Sequence, residues 1–258
     1  MAEWAAFPFA GEYQFDANSV RQQWARLHGG DQEPLPTLAP VLEAWALFHN
    51  GEFRQAFDLG LSLGAQGANV ANKAACMYAT YLETQESRRL QLFQDVAQRA
   101  EAQLQQEPHN LNARYLRAYA LGRYSQGISV AKALAQGLGH KVKTDLEAVI
   151  AQQPRHYDAH IALGAFHAEV IDKVGSLIGA MTYGAHRDAG LQMFTRAVQL
   201  NVQSAFGMLE YAHAVLMLDG EKMLNEALRL YRLAARSHPA DATERLEVEM
   251  AKTELANT

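Results

Sequence analysis

The sequence predicts an all-α chain of about five stacked helical hairpins, and three observations carry that reading. In the run LNEALRLYRLAARSHP, Ala227, Tyr231 and Ala234 stand at i, i+4 and i+7, with Pro239 after them. The same register recurs at Gly190, Phe194 and Ala197, with Val202 in the proline place, and at Val142, Leu146 and Val149 before Pro154. Residues so spaced share one helix face, and small neighbours let a second helix approach around one bulky knob. The prolines then stop the helices. Finally, beyond the N-terminal arm the chain shows no apolar alternation long enough for a strand.

Taken in order, residues 1–37 fall outside the repeat. Trp4, Phe7, Phe9, Tyr13 and Phe15 make an aromatic arm, followed by a short helix from about Ala17 to His28. Asp16 caps that helix, Gly29-Gly30 ends it, and Val20, Trp24 and Leu27 give it one apolar face. Pro34, Pro36 and Pro40 mark an extended connector. Repeats then occupy 38–241. Leu42, Trp45 and Phe48 line the first helix, Asn50-Gly51-Glu52 turns the chain, and Phe53, Ala56, Phe57, Gly60 and Leu63 belong to the second. Further hairpins are expected from Ala68 to Gln106 with a turn at Gln85-Glu86-Ser87, from Asn112 to Pro154, from Tyr157 to Asn201 and from Ser204 to Pro239. Asp241-x-x-Glu244 reads as a capping box opening a terminal helix within 242–258, polar on one side, that closes the stack.

A net charge of -5 without a dense Lys/Arg run lacks the electrostatic footprint of a nucleic-acid binder. Cys76 is the single cysteine, so no disulfide framework exists. The opening MAEWAAFPFA carries an acid where a secretory signal has basic charge, and the most apolar later stretch, Val170 to Ala185, holds Asp172 and Lys173 and is too short to span a bilayer. The expectation is a cytoplasmic protein without a membrane segment.

The Ala-aromatic-Ala-Pro spacing, with Leu163-Gly164 after Pro154, resembles the tetratricopeptide repeat (TPR), whose period is about 34 residues. The stops Pro108, Pro154, Val202 and Pro239 lie 46, 48 and 37 residues apart, so the middle repeats carry inserts near 126–141 and 169–188. These either extend helices or form a lid. The stretch from Gly137 to Asn201 is similar to a group of bacterial TPR proteins without assigned activity. It is more distantly similar to the regulator of microtubule dynamics family and to the T component of TRAP transporters. Over about residues 110 to 255, the resemblance implies a helical scaffold that binds proteins and has no known chemistry.

In that family, set positions on the first helix of each repeat line a concave groove. Carried over, they give Asn112, Tyr115, Tyr119 and Arg123; Asp158, Ile161 and Glu169; and Phe206, Leu209 and His213. The mixture suits a protein or peptide segment with both charged and apolar anchors. The competing reading places the tyrosines in the core. An alternative function is a carrier of a small apolar ligand held near Phe206, Leu209 and Met217, with the Gly-rich inserts folded over it.

His156, His160 and His167, with Asp158, Glu169 and Asp172, are the nearest approach to a metal or catalytic cluster. They lack a recognised ligand signature, and packed histidines are the preferred reading. No glycine run fits a phosphate loop, and Cys76 lies in the apolar run AACMYATYL. No cofactor, metal or enzymatic activity is expected.

Overall fold

The structure is a computed structural model that describes residues 4–257. Among them there is no strand, and helices follow in the order α1 (Ala17–Leu27), α2 (Ala39–His49), α3 (Phe53–Ser62), α4 (Ala68–Tyr81), α5 (Glu86–Gln106), α6 (Leu111–Gln126), α7 (Val130–Ala135), α8 (Leu138–Gln152), α9 (Tyr157–Val174), α10 (Ser176–Ile178), α11 (Arg187–Leu200), α12 (Ala205–Asp219), α13 (Leu224–Ala235) and α14 (Ala242–Ala256). Contacts divide the chain into two compact units, one comprising residues up to 138 with 241–243 and the other 139–240 with residues from 244 onward.

Local chemistry starts many of these helices. Asp16 accepts the Ser19 amide at 2.7 Å while Ser19 Oγ accepts the Asp16 amide at 2.8 Å, a reciprocal cap for α1. Asn110 caps α6 through the Ala113 amide at 2.9 Å, and Ser204 caps α12 through Gly207 at 3.2 Å. The expected connector proline, Pro40, instead sits inside the first turn of α2, where its missing N–H costs nothing.

In the first unit α2 to α6 pack each against the next, and Leu42, Trp45, Phe48, Val70 and Tyr78 are all essentially excluded from water. The α3–α4 approach is so close that a Cβ on Gly67 would stand 2.2 Å from the Gly60 carbonyl oxygen. The aromatic arm is bound to this unit. Trp4 stacks on Tyr78 with ring centroids 4.1 Å apart, and Asn50 holds the main chain of Phe15 from both sides, at 2.6 and 3.0 Å.

In the second unit the three triplets that define the register face inward: Val142, Leu146 and Val149 on α8, Gly190, Phe194 and Ala197 on α11, and Ala227, Tyr231 and Ala234 on α13. Val248 and Ala251 of α14 join Leu230, Tyr231 and Ala234 in one apolar cluster. At the start of α14 Glu244 accepts the amide of Ala240 at 2.7 Å, and Asp241 Oδ2 lies 2.6 Å from His49 Nδ1.

The inserts resolve into short pieces. The first forms α7, which buries none of its side chains. The second extends α9 to Val174 and continues as α10 and a π-helical turn over Gly179–Tyr183. At its tip Leu177, Ile178 and Met181 are 74, 55 and 80% exposed.

Candidate functional site

The ten residues carried over from the groove positions separate into two sets. Asn112, Tyr115, Tyr119, Ile161 and Leu209 are at most 6% exposed and belong to the interior. The cause is local packing. The Asn112 amide donates to Glu33 at 2.6 Å, Tyr119 shares a hydrogen bond with Thr80 of α4 at 2.9 Å, Ile161 lies in a cluster with Phe194, and Leu209 in the cluster with Tyr231. Arg123, Asp158, Glu169, Phe206 and His213 are half-buried. Arg123 lies over the Tyr119 ring at 5.2 Å. In the second unit α9 presents Asp158 and Glu169, and α12, packed against it, presents Phe206 and His213.

Each histidine of the suspected cluster has a separate structural role. His156 Nδ1 accepts the Ala159 amide at 3.2 Å as the N-cap of α9. His160 Nε2 donates to the Pro154 carbonyl at 3.1 Å, and His167 Nδ1 accepts the His186 amide at 3.1 Å. Burial lowers the His160 pKa and, with Lys143 and His186 adding to the effect, lowers that of His167 to about 4. Among the described residues no three His, Cys, Asp or Glu side chains converge to hold a metal. Burial likewise pushes the Cys76 thiol up to about 12, which keeps it a protonated packing group.

A cluster that sequence reasoning did not anticipate lies in the first unit. His49 Nδ1 stands 2.6 Å from Asp241 Oδ2, and its Nε2 stands 3.3 Å from His28 Nε2. His28 Nδ1 is 3.0 Å from Asp31 Oδ1, and Asp31 also pairs with Lys73 of α4. The Glu33 carboxylate accepts from Asn69 at 3.0 Å and from Asn112 at 2.6 Å, while its carbonyl accepts the Trp24 indole N–H at 2.8 Å. Burial pushes the Asp31 carboxyl up, yet Lys73 and His28 outweigh it and hold the pKa well below the usual carboxylate range. Burial, with the Asp31 charge beside it, lifts Glu33 to about 7. Burial also lowers His28 to about 4 against the pull of Asp31. Since His28, Asp31, His49 and Asp241 are at most 5% exposed, no reactant can touch them in this arrangement.

The second unit also holds a cavity of about 280 Å³ between α11 and α13, floored by the start of α12. Val198, Val202, Met208, Leu230 and Leu233 supply most of its wall, and Tyr157 reaches it from the start of α9. The Tyr157 hydroxyl is buried beside Ser204 without a hydrogen bond of normal geometry.

No family model matches the chain, and no curated protein sequence matches it. Among solved structures the chain is similar to a thermophilic TPR protein of Thermus thermophilus. The identity is 17%, the match covers 83% of this chain and 97% of the other, and the TM-score is 0.57. With the helical hairpins described above, this likeness shows that the fold is of the TPR-like α-α superhelical class.

Proposed function

We propose that this protein is a non-enzymatic, cytoplasmic helical-repeat scaffold that binds a segment of a partner protein, as its resemblance to bacterial TPR proteins suggests. One observation carries the proposal: the side chains left partly open on α9 and α12 of the second unit. Two acids, Asp158 and Glu169, lie on α9, and Phe206, His213 and the 38% exposed Met217 lie on α12. Such a face fits a segment with basic and apolar side chains. Arg123 on α6 is a separate candidate contact in the first unit. No helix of the described residues is long and apolar enough to cross a membrane, and the lone cysteine is buried, as in chains that do not depend on disulfides.

A photo-crosslinking residue at position 206 tests this reading. It is expected to capture a protein partner in cells, with Phe206→Glu then weakening the purified partner's binding at least tenfold without altering the helical spectrum. Crosslinking no stronger than that from an exposed control position such as Gln199 overturns it. The second reading, a carrier of a small apolar ligand, is favoured by the cavity under Tyr157. That cavity lies by Val202 and Leu233 rather than by Met217 and the Gly-rich inserts, where the carrier reading first placed it. Native mass spectrometry of freshly purified protein separates the two readings, because only a carrier brings a small ligand of defined mass.

A further inference from the structure

Three hydrogen-bonding contacts in a row join four buried side chains of the first unit: Asp241 to His49 at 2.6 Å, His49 Nε2 to His28 Nε2 at 3.3 Å, and His28 to Asp31 at 3.0 Å. A carboxylate only accepts, so each outer contact needs one proton between nitrogen and oxygen. The inner contact also needs one. With none, two imidazole lone pairs face each other out of reach of water, and with two, both N–H groups collide. Three contacts thus require three protons, and two neutral imidazoles bring only two. We propose that the first unit contains a buried proton-binding site, in which His28 and His49 share one extra proton on the line Asp241–His49–His28–Asp31.

Geometry and charge assign the extra proton to His49. Its contact with Asp241 is the shortest of the three, as a charge-assisted bond is. His28 stays neutral and offers its Nε2 lone pair, consistent with burial holding its pKa near 4 while His49 and Lys73 add to the lowering. The charged groups facing the pair are Asp241 before α14, Asp31 and Glu33 in the connector after α1, and Lys73 on α4. An extra proton on His49 offsets the Asp241 carboxylate, as Lys73 offsets Asp31. A buried cluster needs that neutrality. When the proton leaves at higher pH, the central contact becomes repulsive and the tie from α2 to Asp241 weakens. The site is therefore a proton-operated latch on that segment.

Nitrogen-15 NMR of histidine-labelled wild-type protein at pH 7 counts the protons directly. The proposal expects three protonated ring nitrogens among the four of His28 and His49, with His28 Nε2 bare. Two protonated and two bare nitrogens overturn it. Calorimetric unfolding at pH 7.5, in buffers of different ionisation heat, gives a second readout. About one more proton should be released on unfolding by the wild type than by His49→Asn, whose side chain can donate to Asp241 without carrying charge. Glu33→Gln should preserve that difference, which separates the shared proton from the one on Glu33. Equal release by wild type and His49→Asn overturns the site, and if that variant fails to fold the nitrogen count decides alone.

Discussion

Tyr119 and Arg123 sit one turn apart on α6, and the structure assigns them opposite roles. Tyr119 is 6% exposed, packs 6.1 Å from the Tyr115 ring and hydrogen-bonds Thr80. Tyr119→Ala should therefore cost about 3–5 kcal/mol, as aromatic truncations in cores do. Arg123→Glu, which removes a half-exposed cation lying over the Tyr119 ring, should cost about 1 kcal/mol or less. Urea denaturation of both variants checks the pair, and the reverse order would return Tyr119 to an open groove. The sequence could not make this distinction because α6 has no single apolar face: Tyr115 and Tyr119 are buried on one side of it and Tyr124 on another. The polar cluster was hidden for another reason. Asp31 and Glu33 sit in a Gly/Pro-flanked connector that reads as solvated, and the contacts that complete the cluster are long-range, Asn112 being 79 positions from Glu33 and Asp241 192 from His49. The available signal was a histidine on each of two otherwise apolar helix faces, His28 beside Trp24 and His49 beside Trp45.

At the scale of elements, the small–large–small triplets were legible because helix periodicity is local and a knob needs its flanking small residues wherever the helix goes. Gly164 shows how tight that packing is. A Cβ there would stand 2.7 Å from the Phe194 ring, the knob of α11. Gly164→Ala should lower the thermal midpoint even though alanine favours the helix by about 1 kcal/mol, because a buried ring has no room to withdraw. An unchanged or raised midpoint would mean that α9 and α11 pack more loosely. The terminal helix gives a second test. Removing 242–258 uncovers Leu230, Tyr231 and Ala234, which Val248 and Ala251 cover, so the truncated chain should melt earlier and bind more of a hydrophobic dye. The inserts were less legible, since Gly-rich apolar runs of that length satisfy a helix extension and a lid equally; their division into short helices is a tertiary outcome.

For the whole molecule, the shifted groups combine into a stability optimum in pH. His28 and His167 have folded-state pKa values lowered from 6.5 to about 4, and His160 is lowered as well. Below pH 6.5 the unfolded chain binds protons at these three sites that the folded chain refuses, down to about pH 4 for His28 and His167, so their stabilisation is complete above 6.5 and is lost as pH falls. Glu33 acts in the opposite sense. Its folded pKa is raised from 4.5 to about 7, so its contribution is complete below 4.5 and disappears as pH rises through 7. Three histidines outweigh one carboxyl on the acid side, and above 6.5 the carboxyl remains. Asp31, held well below 3.8, adds a loss only in stronger acid. The thermal midpoint should thus peak near about pH 6.5, fall towards pH 5, and fall again to a lesser degree towards pH 8.5. Glu33→Gln should flatten the alkaline limb and leave the acid limb in place. Differential scanning calorimetry across that range decides the matter, and a midpoint that climbs steadily from pH 6.5 to 8.5 would show that the Glu33 carboxyl does not hold its proton in the folded chain.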